Sequence, residues 1–122
     1  MGQQIMMDLA RDAAALVMRD VHATTEARPT IQIRHDGDFG LVVSYNGDFS
    51  TPAMTAMQNP EATREIADYL QGHVMEDGAV WAAWPTCPEH QHGLHAEVQG
   101  TVAVWHCRTG NHSVASIGEL TP

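Results

Sequence analysis

Two short cysteine and histidine loops constrain this chain more than any other feature of its sequence. Both cysteines and five of the eight histidines lie between Cys87 and His112. The loops read Cys87-x2-His90 and Cys107-x4-His112. Structural zinc sites are tetrahedral, and short loops supply their thiolate and imidazole ligands in pairs. The spacing therefore predicts one zinc ion bound by Cys87, His90, Cys107 and His112.

Residues that favour tight turns accompany both loops. Pro88 follows the first cysteine, and Gly110-Asn111 precede His112. Such turns let successive side chains point inward and let backbone amides donate hydrogen bonds to thiolate sulfur. Four protein ligands leave no coordination position for water, so we expect the zinc to be structural rather than catalytic.

Other histidines and a metal-free state are the alternatives. His92 or His95 could replace His90, because both are within reach of the first loop. His106 adjoins Cys107 on a predicted strand, so its side chain should project from the opposite face into solvent. Without a metal, the two cysteines would be small buried hydrophobic residues and the histidines would lie on the surface.

The motifs CPEH and WHCRTGNH resemble the knuckles of a zinc ribbon in which one cysteine of each knuckle is replaced by histidine. This resemblance covers about the last third of the chain. It implies an antiparallel β module stabilised by zinc, with nucleic-acid binding as one associated function. The stretch from WPTCPEH to SVASIGEL also resembles the C-terminal part of small actinobacterial proteins, which implies no particular activity. Basic residues that are all arginine fit that bacterial source.

Two helices are predicted in the first part of the chain. Apolar residues recur at spacings of three and four over residues 5–21, which predicts an amphipathic helix that ends near Val21. A second apolar pattern of this kind runs from residue 60 to residue 78, and Asn59 directly before it predicts an N-terminal cap. Residues 50–58 predict a loop or a single helical turn.

Strands are predicted between the helices and after the first cysteine. Alternating apolar residues around Asp36-Gly37 predict a hairpin over residues 31–45, and Asn46-Gly47 predicts a further turn. A second hairpin is predicted around Gln99-Gly100, followed by a last strand within residues 113–120. The fold class is therefore α+β: an N-terminal helix, a hairpin, a second helix and a C-terminal antiparallel β module that resembles a zinc ribbon.

The expected organisation is one domain over residues 1–122. A helix, hairpin and helix part (1–80) should pack directly against the zinc-ribbon-like module (81–122), because no linker or low-complexity segment divides them. The start of the chain lacks the features of a secretory signal, and no apolar run is long enough to cross a bilayer. We therefore expect a cytoplasmic protein, whose reducing environment favours thiolates over a disulfide.

Charge narrows the choice of partners. Fifteen acidic residues oppose six basic ones, which gives a formal net charge of −9. The six arginines are scattered singly, so no basic stripe exists to neutralise a phosphate backbone. We therefore do not expect nucleic acid as a partner. We expect another protein with a basic surface.

Enzyme motifs are sparse. The tripeptide His95-Ala96-Glu97 matches the H-x-E of zinc deaminases, in which the glutamate transfers protons, but the P-C-x-x-C that completes their signature is missing. Aspartates next to glycine, such as Asp36, are typical of turns. The leading hypothesis is a non-enzymatic, zinc-stabilised acidic protein that acts as a protein-binding adaptor or regulator. A small zinc-dependent hydrolase or deaminase-like enzyme is the alternative, and a nucleic-acid-binding zinc ribbon is third.

Large apolar side chains outside the metal loops have two interpretations. Trp81, Trp84 and Trp105 should form the core between the ribbon and a helix, since aromatic residues bury large areas. Any of the three that is exposed becomes a candidate anchor for a partner. Met54 and Met57 are expected to fill gaps in the core, although methionine also suits adaptable binding surfaces.

Overall fold

The computed structural model of the chain describes residues 2–122 and has the predicted α+β class. Its elements, in chain order, are α1 (Gly2–Thr24), β1 (Ile31–Asp36), β2 (Gly40–Tyr45), β3 (Asp48–Ser50), α2 (Glu61–Glu76), β4 (His95–Gln99), β5 (Val102–Cys107) and β6 (His112–Ser116). The strands form two antiparallel sheets of three strands each, in the orders β1-β2-β3 and β4-β5-β6. No helix within residues 2–122 combines the length and hydropathy that a membrane span requires.

The N-terminal sheet contains the predicted hairpin and one strand more. β1 pairs with β2 from Ile31 opposite Tyr45 to Asp36 opposite Gly40, as the turn at Asp36-Gly37 predicted. Asn46 and Gly47 both have positive φ, 53° and 85°, which suits a two-residue hairpin turn. This turn ends β2 and connects it to the short strand β3, which the sequence did not predict.

Both helix predictions are confirmed, with shifted ends. α1 continues to Thr24, one turn beyond the predicted end at Val21, and the Thr24 hydroxyl accepts a hydrogen bond of 2.9 Å from the indole of Trp84. α2 begins at Glu61, and the Asn59 side chain accepts hydrogen bonds from the amide and the hydroxyl of Thr63. The N-cap position itself is Pro60, which makes no side-chain cap bond, so the prediction that Asn59 is the cap is off by one residue. Asn59 still satisfies the Thr63 amide in the first turn of α2.

The C-terminal sheet is a hairpin extended by one strand. β4 and β5 pair from His95 opposite His106 to Gln99 opposite Val102, which confirms the predicted second hairpin. β6 then pairs with β5, and a register shift falls between Trp105 and His106. The connection between β5 and β6 is the second metal loop, so the sheet itself sets the positions of Cys107 and His112.

One cluster of buried apolar side chains includes residues of both helices and both sheets. Trp84 and Trp105 lie inside it with their rings edge to face, 5.5 Å between centroids. The third tryptophan is different: Trp81 is 72% exposed, so the prediction that it belongs to the core is wrong. Met54 is buried as expected, whereas Met57 is exposed.

Asp20 is a buried carboxylate at the centre of this core. The helical pattern grouped it with the polar residues of α1, but its side chain is fully buried. It accepts hydrogen bonds from the indole of Trp105 (2.7 Å), from the amide of Gly118 (2.7 Å) and from the amide of Leu120 (2.9 Å). These bonds attach α1 to β5 and to the end of the described chain, and they satisfy a charge that would otherwise be costly to bury.

Candidate metal centre

The structure brings the four predicted ligands together. One ligand atom from each of Cys87, His90, Cys107 and His112 lies within 4.8 Å of all the others, so the group could hold a metal ion. The two sulfur atoms are buried and the two imidazoles are half-buried. A pair of ligands comes from each loop, as the spacing required.

Three sulfur–nitrogen distances within the cluster are known. The Sγ of Cys87 lies 3.5 Å from Nδ1 of His90 and 3.6 Å from Nε2 of His112, and the Sγ of Cys107 lies 3.3 Å from Nδ1 of His90. Zinc bonds of about 2.3 Å to sulfur and about 2.0–2.1 Å to nitrogen, at tetrahedral angles, separate sulfur from nitrogen by about 3.6 Å. These three sulfur–nitrogen distances are close to that value, so the cluster could hold one metal ion.

Backbone hydrogen bonds shape the first loop. The amide of Cys87 donates to the carbonyl of His92 (2.8 Å), and the amide of Gln91 donates to the carbonyl of Cys87 (2.9 Å). A hydrogen bond from the Leu94 amide to the Pro85 carbonyl joins the two residues that flank the loop. This narrow loop directs Cys87 and His90 to the same side, which is what a chelating pair needs.

The second loop is a hairpin connection between paired residues. Cys107 and His112 are opposite one another at the end of β5 and β6. The amide of Gly110 points at the Sγ of Cys107 with an N to S distance of 3.4 Å. An amide in that position can donate to a sulfur ligand, and the bond fixes the turn around Cys107.

The electrostatics of Cys87 also favour the thiolate. Burial raises the pKa of this thiol, but the amide of Glu89, the side chain and amide of His90 and the side chain of Cys107 together outweigh burial and lower the pKa from 9.0 to about 6. The thiolate is the form that binds metals. Cys87 is therefore suited to bind zinc near neutral pH.

His92 and His95 are not part of the cluster. Both line a separate open cavity of about 390 Å³ beside Met75 and Arg108. His92 is exposed, and its carbonyl rather than its ring takes part in the first loop. Of the three histidines that the sequence left open for the first loop, His90 is the one that the structure brings to the cysteines.

His106 projects away from the ligands as predicted, but it does not reach solvent. Its ring is only 6% exposed, which makes the predicted exposure wrong. Nε2 lies 3.2 Å from Oδ1 of Asn111, and Nδ1 lies 2.9 Å from Nε2 of Gln99. Both ring nitrogens therefore have hydrogen-bond partners. His106 thus packs against the second loop and contacts Asn111, a loop residue with a positive φ of 51°.

Two glutamates lie near the centre in different roles. Glu97, the residue that a deaminase-like mechanism would need, pairs with Arg108 at 3.0 Å. Glu89 has its Oε2 4.0 Å from Nε2 of His112, at the more exposed side of the cluster. Sequence patterns gave no reason to select Glu89 over other acidic residues. Glu89 is the carboxylate that the structure positions beside a predicted ligand.

Gln71 is a further residue that the sequence did not single out. Its side-chain nitrogen donates to the carbonyls of Trp84 (2.9 Å) and Leu94 (2.6 Å), which flank the first loop. Gln71 is buried on α2, so these bonds attach the loop to that helix. A glutamine in a helical pattern carries no sequence signal for this role, because its partners are carbonyl groups that any residue could supply.

This chain matches no known protein family, no curated protein and no solved structure. The likeness to a zinc ribbon consequently rests on the two loops and the antiparallel strands between and after them. That likeness is loose, since each loop supplies one cysteine and one histidine.

Proposed function

We propose that this chain is a zinc-stabilised protein in which Cys87, His90, Cys107 and His112 bind one Zn²⁺. The observation that carries the proposal is the convergence of four soft or borderline ligand atoms within 4.8 Å. Two sulfur and two nitrogen ligands in a tetrahedral arrangement are the donor set that zinc prefers. Bound zinc supplies folding free energy to the loops that hold it.

The proposed role is non-enzymatic: a cytoplasmic adaptor or regulator that binds another protein. A four-ligand site leaves the metal no position for substrate or water, which argues against catalysis at the zinc. The net charge of −9 keeps the protein soluble and attracts basic surfaces. The position of Glu97 adds support, because a residue paired with Arg108 is engaged elsewhere and not held for proton transfer at the metal.

Metal analysis with matched histidine variants tests the proposal. Protein purified without added zinc should contain about one zinc per chain, as a closed site with four protein ligands requires. His90→Ala should lose most of that zinc, whereas His92→Ala, a change in the same loop at an exposed ring, should retain it. Well-folded wild-type protein without zinc would contradict the proposal. Equal zinc loss in both variants would contradict the assignment of His90.

Mobility-shift experiments separate the proposed role from that of a nucleic-acid-binding ribbon. At physiological salt the zinc-loaded protein should not retard a generic DNA or RNA duplex, since its six arginines are spread along the chain. Salt-sensitive retardation at about micromolar protein would favour the nucleic-acid function instead.

A further inference from the structure

An apolar groove lies at the far end of the N-terminal sheet, between the first turn of α1, the turn from β1 to β2 and the loop before α2. It encloses about 240 Å³. Its apolar lining comes from Met6, Phe39, Leu41, Pro52 and Met54. We call it the Phe39 groove.

Exposed side chains continue this apolar surface beyond the groove. Phe39 is 70% exposed although it is a large aromatic residue. Met57 is also exposed, and its methyl carbon lies 3.5 Å from where a Cβ on Gly2 would be, which places it beside the start of α1. Exposed apolar side chains that cluster around a groove are typical of a protein-binding site. Flexible methionines let such a site adapt to its ligand.

The backbone under Phe39 is fixed by its own turn. Oδ1 of Asp36 accepts hydrogen bonds from the amides of Asp38 (2.9 Å) and Phe39 (3.3 Å). These two bonds hold the turn that carries the exposed ring. Less conformational entropy is therefore lost when a partner packs against Phe39 than if the turn were free.

The charge beside the groove is negative. Asp38, which is exposed, directly precedes Phe39, and Asp36 lies three residues before it. Among residues 2–122, the groove lining itself includes His35 and no lysine, arginine, aspartate or glutamate. Arg34, the arginine nearest in sequence, lies over the ring of Phe49, 4.3 Å from its centroid. Arg34 and His35 are neighbours on β1, so their side chains leave opposite faces of the sheet. A partner residue that contacts Phe39 from the side of this turn therefore lies near the exposed carboxylate of Asp38.

We propose that the Phe39 groove docks a short segment of another protein that presents one large apolar side chain with lysine or arginine beside it. The groove volume is below the roughly 300 Å³ at which pockets for drug-sized ligands begin, so it suits a single side chain. The acidic turn then pairs with the flanking basic residue. The docking site rests on the adaptor function proposed above and specifies where and what that adaptor binds.

Selection from a random peptide library on immobilised, zinc-loaded protein tests this docking site. Enriched peptides should contain an aromatic or aliphatic residue within a few positions of lysine or arginine. Phe39→Ser should weaken their binding about tenfold or more in fluorescence polarisation, the effect of a central anchor residue. Phe49→Ser, which removes an exposed ring outside the groove, should change binding less than about twofold. Asp38→Lys should weaken peptide binding, and the binding that remains should depend less on salt concentration.

Each other outcome overturns the docking site in a distinct way. Peptides that bind wild type and Phe39→Ser equally would place the partner elsewhere and leave the adaptor function standing. A library without specific binders would contradict both the groove and the adaptor function. It would leave the proposed zinc site untouched, because that site is tested separately by the zinc content. A wild-type dimer that Phe39→Ser dissolves, seen by light scattering, would assign the groove to a second copy. Unchanged melting temperatures verify that both serine variants are folded.

Discussion

Gly110 lies directly against the imidazole ring of His90. A Cβ added to Gly110 would be 3.1 Å from Nδ1 of His90, its predicted metal-binding atom, and 2.8 Å from Cδ2 of His112. The contact with Cδ2 of His112, and a still closer one with Cε1 of His90, are closer than a Cβ tolerates, so one histidine or the turn would have to move. The second loop therefore depends on glycine for the space between His112 and His90 of the first loop.

Gly110→Ala should consequently weaken zinc binding without removing a ligand. We expect a loss of about ten- to hundredfold in affinity, comparable to the loss of a residue that orients a metal ligand. Competition with a chromogenic chelator measures it. Gly37→Ala is the matched control, because a Cβ on Gly37 meets nothing within 4 Å. Equal affinity in the two variants would show that the histidines of the cluster are not held as described.

Asp20→Asn should destabilise the fold. The asparagine keeps one oxygen but turns an NH₂ group toward donors that now lack a charged acceptor: the Trp105 indole and the amides of Gly118 and Leu120. We expect a loss of about 2–3 kcal/mol in the free energy of unfolding, measured by urea denaturation. Asp12→Asn, on the exposed face of the same helix, should stay within about 0.5 kcal/mol of wild type. Similar values for the two variants would contradict the role of Asp20.

Glu65 predicts a pH dependence of stability. Burial raises the pKa of Glu65, but hydrogen bonds from the amides of Ala56 and Thr55 and from the Thr55 hydroxyl outweigh burial and hold the pKa below 4.5. A carboxyl whose pKa is lower in the folded state stabilises the fold above its unfolded pKa, and this contribution disappears as the pH falls through the folded pKa.

Glu65→Gln should therefore lower the melting temperature at pH 7, and the difference from wild type should shrink below pH 4.5. Thermal melts across that range measure it, with the exposed Glu76→Gln as a control expected to show a smaller effect at pH 7. If the difference in melting temperature between Glu65→Gln and wild type grew as the pH fell, the predicted direction of the pH dependence would be wrong.

Glu97→Gln separates a structural zinc from a deaminase-like one. The Glu97 pair with Arg108 is largely exposed, and such pairs contribute about 0–1 kcal/mol. Zinc content, melting temperature and partner binding should thus stay close to wild type. A marked change in zinc content or in a metal-dependent activity of the variant would put Glu97 at the metal and favour the enzyme.

The sequence predicts local structure and the clustering of Cys87, His90, Cys107 and His112 well because both depend on short-range patterns. Helical periodicity, the turn dipeptide Asp36-Gly37 and the bond from the Thr63 amide to the Asn59 side chain each act over a few residues, and the corresponding elements are present. The spacing within the two loops is likewise local. The pairing of strands between them then brings the loops together at one end of the sheet.

Long-range contacts explain where sequence reasoning failed. Asp20 is buried because its donors come from residues 105, 118 and 120, far along the chain. α1 extends past Val21 because its end contacts Trp84, and His106 is buried because Gln99 and Asn111 cover its ring. Strand alternation placed His106 on the face opposite Cys107, but it carries no information that Gln99 and Asn111 contact the ring.

X-ray absorption at the zinc edge of the purified protein tests the central claim most directly. A structural site formed by Cys87, His90, Cys107 and His112 predicts two sulfur ligands at about 2.3 Å and two nitrogen ligands at about 2.0–2.1 Å, with no further light-atom ligand. A spectrum with an additional oxygen, fewer than two sulfur ligands, or no bound zinc in folded protein would contradict it.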